Sequence, residues 1–170
     1  MTAAAAPVVR AYVSAGSNID PLPNLRLAVA ELRRRFGALR LSPVYRTPAV
    51  GFAGDDFLNL VLAFETSEPP ADVVAELERL HALAGRQRGP NAFASRTLDL
   101  DLLLYGDAVI PEPPIKVPRE DIRKYAFVLG PLADLAPGLV HPVTGETIGA
   151  LWAAFDRQGQ PLARVDVDLG

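Results

Sequence analysis

An α+β fold, ferredoxin-like in its order of elements, is what this sequence predicts, and three observations carry the prediction. Short β-branched and apolar runs are bounded by turn residues, as half-buried strands require. Two longer stretches repeat apolar residues at three- and four-residue steps, the stripe of an amphipathic helix. Their order is strand, helix, strand, strand, helix, strand, the split βαβ arrangement. A chain of 170 residues suits one domain, 1–170, with a sizeable core. Hydrophobic residues at 49% and charged residues at 22% are ordinary for a globular protein and argue against disorder. The uncharged apolar runs fall short of the roughly 20 residues a bilayer crossing needs.

Each element has its own justification. Residues Met1 to Pro7 are small and apolar, without a basic leader or a long apolar run, and read as a loose N-terminal extension. Val8 to Ser14 reads as the opening strand, ended by the turn formers Ala15-Gly16-Ser17-Asn18-Ile19-Asp20-Pro21. Leu22, Leu25, Val29, Leu32 and Phe36 make the first helical stripe, stopped by Gly37 after the basic turn Arg33-Arg34-Arg35. Cations suit a helix C-terminus, so that turn needs no functional explanation. Leu39 to Thr47 follows as a strand with Pro43 marking an edge or a bulge, then a Gly-containing loop from Pro48 to Asp56. Phe57 to Glu65 is a strongly apolar strand. Pro69 and Pro70 open a second helix, with Val73, Val74, Leu77, Leu80 and Ala84 inward and Gly85 at its end. After the loop Gln87 to Ser95 comes the strand Arg96 to Tyr105. Beyond a Pro-rich stretch, a short helix near Pro118 to Lys124 and a closing helix from Glu146 to Phe155, anchored by Trp152, form a C-terminal elaboration.

Charge and composition exclude several functions. Lys and Arg number 17 against 20 Asp and Glu, a formal charge of −3, so a broad nucleic-acid surface is not expected. Cysteine is absent, which removes disulfides, thiol catalysis and Cys-based zinc sites and fits a cytoplasmic location. His81 and His141 are the only histidines, too few for a His-rich metal site. His81 falls beside the apolar face of the second helix and reads as a packing residue; His141, before Pro142, reads as a loop residue. Ser17 has no His/Asp partners nearby in sequence, and neither a Walker A motif nor GxGxxG occurs.

The informative stretch is Arg96-Thr97-Leu98-Asp99-Leu100-Asp101-Leu102. In a strand, Asp99 and Asp101 project from one face while the three leucines line the other. Two adjacent carboxylates repel unless a cation intervenes, and Mg²⁺ takes one or two carboxylates together with substrate phosphates. The alternative is a solvated strand face. Arg86, Arg88 and Arg96 lie close by in sequence, and their planar guanidinium groups suit phosphate oxygens. Helix-end charge and surface ion pairing account for Arg86 and Arg88 equally well, and for Arg96 less well. Cations for phosphate and acids for its metal are the two halves of a phosphoryl-transfer site.

The residues also carry a resemblance. Ala15-Gly16-Ser17-Asn18, Tyr45-Arg46-Thr47-Pro48-Ala49-Val50-Gly51, Phe57-Leu58-Asn59, Gly85-Arg86-Gln87-Arg88, the run from Arg96 to Asp107, Phe127 to Pro137, and His141-Pro142 occur in one order. From about Val9 to Phe155 this set resembles the 6-hydroxymethyl-7,8-dihydropterin pyrophosphokinases of folate biosynthesis. The resemblance implies transfer of the diphosphate of ATP to the pterin hydroxymethyl group with release of AMP, on an α/β/α sandwich. It implies two Mg²⁺ ions held by Asp99 and Asp101, with Arg86, Arg96, Asp99 and Asp101 as the catalytic set. ATP would meet Arg86, Arg88, Arg96, Leu102, Lys116 and Arg119. The pterin would meet Thr47, Pro48, Val50, Phe57, Asn59, Phe93 and Phe127.

Departures from the family pattern shape further expectations. Where many members have Trp-Gly-Pro before the Arg-Thr-Leu-Asp block, this chain has Phe93-Ala94-Ser95, leaving Phe93 to cap the ring. Many members have a His after Val117-Pro118 and an Arg six residues later; here Arg119 and Tyr125 stand there. Either phosphate contacts move to Arg119, Arg123 or Lys116, or part of the ATP site is lost; the three cations clustered in one short segment favour the first, in a variant subgroup. The loops 48–56 and 87–95 are expected to close over both substrates and exclude water. A monomer is expected, with no nucleic-acid or membrane partner. Two rival readings are a non-catalytic pterin- or nucleotide-binding module of the same fold, and the same transfer onto another heterocyclic alcohol.

Overall fold

In a computed structural model that describes residues 6–49, 54–85 and 98–170, the chain turns wherever its sequence denies it a regular backbone. Strand β1 (Val9–Ser17) runs three residues further than its β-branched stretch, so Gly16 and Ser17 belong to the sheet and the turn begins at Asn18. Helix α1 (Pro21–Phe36) opens on a proline, whose missing N–H has no intrahelical partner to lose there. It closes at Gly37, in the left-handed region at φ 85°, with the Gly37 N–H donating to Arg33 O at 2.9 Å.

The strand expected over Leu39 to Thr47 is two pieces, β2 (Arg40–Leu41) and β3 (Val44–Thr47). The cause is local. Pro43 has no N–H for the ladder, and at the break the Ser42 hydroxyl accepts from Val61 N while Ser42 N donates to Val61 O, both at 2.9 Å. Strand β4 (Phe57–Thr66) and helix α2 (Pro70–Leu83) follow as their patterns predict. Strand β5 is described over Asp99–Tyr105.

The C-terminal part holds α3 (Asp121–Lys124), α4 (Ala126–Leu135), α5 (Ile148–Ala154) and β6 (Ala163–Val165). Neither α4 nor β6 is foreseen by the sequence reading. The first is apolar nearly all round and contains Gly130-Pro131, so no stripe marks it. Its Gly130 has a packing role: a Cβ there would lie 3.0 Å from the Trp152 ring, which α5 lays against this turn.

All strand pairings are antiparallel, and the sheet order is β5-β1-β4-β3-β6, with β2 also pairing β4. Helices and antiparallel sheet thus make an α+β protein. Leu25, Leu32, Leu77 and Leu80 of α1 and α2 bury one face of the sheet against Leu60, Leu62, Leu100 and Leu102. Leu129 and Leu132 of α4, with Ile148 of α5, cover part of the other face over Tyr12, Val61, Ala63 and Leu103. No helix among the described residues is long and apolar enough to cross a membrane.

Candidate active site

The α4-side face of the sheet changes character along its strands. Past Val61 and Leu103 polar residues and glycine take over, with Phe57 at the margin. Residues in register across β3, β4, β1 and β5 are then Tyr45, Asn59, Gly16 and Asp99, with Thr47 opposite Phe57 at one margin and Ser14 opposite Asp101 at the other. Neighbouring strands lie about 4.8 Å apart, so the backbones of Asn59 and Asp99 stand roughly 10 Å from each other. Gly16 is the low point between them. A Cβ at that position would sit 2.6 Å from Asn59 Oδ1, too close for any side chain, so glycine makes room for the amide.

Asn59 and Thr47 are both buried, and Asn59 Nδ2 donates to Thr47 Oγ1 at 2.6 Å. That bond fixes the carboxamide plane and turns its oxygen over Gly16. Beside them the Tyr45 hydroxyl donates to Asp134 of α4, and burial together with this bond pushes the phenol up to about 12. Phe57, half-buried, opens β4 on the same face. Phe127, in the first turn of α4, stacks on Tyr125 with ring centroids 5.0 Å apart.

On the far side of Gly16, Asp99 and Asp101 are partly open to solvent, while Leu100 and Leu102 sink into the helix-side core. Arg119 reaches Asp101: its Nη2 is 3.5 Å from Asp101 Oδ1, and its Nε donates to Asp121 Oδ2 at 3.2 Å. Burial works against the guanidinium charge, but Asp101, Asp121 and Asp99 outweigh it and raise the pKa further. Its backbone is held as well, because Arg119 N donates to Leu103 O at 2.9 Å on the outer edge of β5. Next to it opens a cavity of about 300 Å³, lined by Lys116, Arg119 and Arg123 together with Val109, His141 and Val143. His141 is a neutral wall: its Nδ1 accepts from Val143 N and Thr144 N, and burial, then Arg123, lower its pKa.

The sequence model of the 7,8-dihydro-6-hydroxymethylpterin-pyrophosphokinase family matches residues 12–137, from within β1 to just past the end of α4. This chain belongs to that family. The 2-amino-4-hydroxy-6-hydroxymethyldihydropteridine pyrophosphokinase of Pseudomonas aeruginosa is 36% identical over 156 residues, covering 89% of this chain and 95% of that one. The enzyme of the same name from Synechocystis is 37% identical over 141 residues, 81% of this chain and 72% of the relative. A crystal structure of Plasmodium falciparum HPPK-DHPS shares the fold with a TM-score of 0.68 at 12% identity. That alignment covers 86% of this chain but 44% of the longer Plasmodium protein.

Set against the pyrophosphokinase expectations, the structure brings two groups together. Thr47 and Asn59 are joined by a hydrogen bond with Phe57 beside them on the sheet; Lys116, Arg119 and Arg123 line one cavity, and Arg119 pairs with Asp101. Pro48 follows β3 directly. Leu102 is 3% exposed and packs its side chain into the α1/α2-side core, on the face opposite the aspartates. Val50, Arg86, Arg88, Phe93 and Arg96 lie outside the described residues, as do most of the two loops expected to close. Among the described residues no group of three or more His, Asp or Glu is arranged to hold a metal. The pair Asp99 and Asp101 nonetheless fits Mg²⁺, which needs only one or two carboxylates when phosphate and water complete its shell. Two residues of the strip escape sequence reasoning. Gly16 looks like a turn residue but lies in β1, and Tyr45 pairs with an aspartate 89 positions away. His81 is buried on α2, as a packing residue would be, and also accepts a hydrogen bond from Leu100 N.

Proposed function

We propose that this chain transfers the diphosphate of ATP to the hydroxymethyl oxygen of 6-hydroxymethyl-7,8-dihydropterin and releases AMP, as a step of folate biosynthesis. The observation that carries the reading is the single polar strip on the sheet. An amide corner at Asn59 and Thr47 is separated by the glycine floor from an acid pair with cations beside it. Family membership supplies the reaction.

The strip divides the work. Asn59 keeps its carbonyl oxygen and one N–H for a ring edge that presents both donors and acceptors. Phe57 and Phe127, with Phe93 and the 47–50 backbone around Pro48 and Val50, bound a flat heterocycle from its faces. Asp99 and Asp101 are the residues that would hold Mg²⁺, two ions in this reading, and the metal would supply charge screening of the triphosphate against the approaching alcohol oxygen. Lys116 and Arg119 bind ATP from the cavity side, and Arg86, Arg88 and Arg96, which precede β5 in sequence, are assigned to the phosphates by the family resemblance. The bond formed joins the pterin oxygen to the β-phosphorus. The bond broken is the bridge between the α- and β-phosphates; AMP leaves with that oxygen, and the alcohol proton goes to solvent. Nothing in this arrangement requires a protein general base, so positioning and charge neutralisation supply the rate.

The strand-order β5-β1-β4-β3 with two helices on one face supports a ferredoxin-like core in an α/β/α sandwich. We read the chain as a single domain and a cytoplasmic monomer. The test is direct: mix the purified protein with ATP, Mg²⁺ and the pterin alcohol, and follow AMP by chromatography against a control without pterin. Pterin-dependent AMP is the expected result. Pterin binding without AMP would replace the proposal with a non-catalytic binding module, and AMP formed only with a different heterocyclic alcohol would replace the substrate.

A further inference from the structure

His81 is 3% exposed on α2, and its Nε2 accepts a hydrogen bond from the backbone N–H of Leu100 at 2.8 Å. Leu100 is the residue between Asp99 and Asp101. Strand β5 is the terminal strand of the sheet, paired only with β1 among the described strands. On an antiparallel edge strand every second N–H points away from the partner and must find another acceptor. Here that N–H falls between the two aspartates, and the acceptor is an imidazole that α2 carries over the edge. Because Nε2 accepts, the ring proton resides on Nδ1, which faces Glu78 Oε1 at 3.5 Å.

The outer edge of β5 is thus held at two points that bracket Asp101: His81 at the Leu100 N–H, and the Arg119 N–H at the Leu103 carbonyl. Each side chain of the acid pair springs from a backbone unit adjacent to Leu100. Rotation of the Leu100 peptide would re-aim both carboxylates at once. We propose that His81 is a positioning residue for the acid pair: its imidazole acceptor fixes the β5 backbone so that Asp99 and Asp101 present their carboxylates together. This inference rests on the reading of the pair as the metal-phosphate site. A residue that merely fills space would be replaceable by leucine without kinetic effect; a positioning acceptor is not.

The test uses His81→Leu, which removes the acceptor, and His81→Gln, whose amide oxygen reaches the same N–H. Three readouts are taken on the full chain: amide exchange at Leu100, kcat, and the separate KM values for Mg²⁺·ATP and for pterin. In His81→Leu the Leu100 amide is expected to exchange about tenfold faster or more. The ratio kcat/KM for Mg²⁺·ATP should fall about tenfold to a hundredfold while pterin KM stays within threefold, the range expected for orphaning one buried donor. His81→Gln should restore both the slow exchange and most of the activity. The proposal is overturned if a folded His81→Leu keeps wild-type kcat/KM for Mg²⁺·ATP, or if pterin KM rises as much as that for ATP. It is also overturned if His81→Gln protects the Leu100 amide yet is as inactive as an unprotected variant. Should His81→Leu fail to fold, His81→Gln decides against wild type: a Leu100 amide as protected as in wild type with kcat/KM for Mg²⁺·ATP lowered about a hundredfold overturns the proposal, and near-wild-type values of both uphold it. Should Asp99→Ala prove fully active, the metal-site reading fails with the proposal, and the Leu100 exchange data show separately whether the hydrogen bond itself exists.

Discussion

One face of the sheet has two ends, and they differ sharply over a few residues. At the packed end, Tyr12, Val61, Ala63 and Leu103 lie under α4 and α5 and are buried. At the other end, the same strands offer Gly16, Asn59, Asp99 and Asp101, and polar contacts replace apolar ones. On β5 the change takes two residues, from Leu103 to Asp101. Both ends share backbone, register and opposing core, so what separates them is side-chain chemistry alone. The lesson is that the site begins where the second layer of helix stops: a strand edge rigidified by leucines on one side is free to carry charges on the other.

The largest way to break this comparison is Asp99→Ala or Asp101→Ala. Either should abolish measurable turnover while thermal unfolding stays close to wild type, since neither side chain belongs to the core. A variant retaining more than about a tenth of wild-type kcat, a loss of only ~1.4 kcal/mol, would remove the acid pair from the mechanism. Two residues along the same strand, Leu103→Ala should do the opposite. It should cost about 2–5 kcal/mol of stability in a denaturant titration, with turnover per folded molecule kept within threefold at a temperature well below unfolding. Equal losses of activity in both variants would erase the distinction between the ends.

A smaller effect sharpens the border itself. Gly16→Ala places a methyl 2.6 Å from Asn59 Oδ1, so the amide must shift; we expect pterin KM to rise about tenfold with kcat less affected, an effect near 1.4 kcal/mol. An unchanged pterin KM would mean that Asn59 does not read the ring. The smallest effect lies away from both ends. Arg10→Ala removes the exposed pair to Glu65 and should change stability by no more than about 0.5 kcal/mol, with kinetics untouched.

Much of this was legible in the sequence, and the reasons differ by element. Alternation in Arg96 to Tyr105 revealed which residues of β5 face the core, and the structure agrees for Leu100 and Leu102. Helices α1 and α2 announced themselves by stripe, proline start and glycine stop. Helix α4 did not, because burial on several sides and Gly130-Pro131 leave no periodic signal. The β2–β3 break depends on a hydroxyl from Ser42 meeting Val61 across the sheet, a partnership that sequence distance hides. On the polar strip, Asp99, Asp101, Thr47 and Asn59 are residues that pattern and resemblance single out, and the sheet register sets them on one face. Gly16 was visible but misread as a turn residue, and the bond that the buried His81 accepts from the Leu100 N–H was not foreseen, since a close approach across strands and an acceptor for an edge N–H exist only once the sheet is assembled.

The central claim is that the polar end of the face holds Mg²⁺ for ATP through Asp99 and Asp101. Calorimetric titration with a non-hydrolysable ATP analogue, with and without Mg²⁺, tests it most directly when wild type is compared with the double variant Asp99→Ala/Asp101→Ala. The account predicts that Mg²⁺ tightens analogue binding about tenfold or more in wild type and has no such effect in the double variant. The same Mg²⁺ enhancement in both proteins would contradict it.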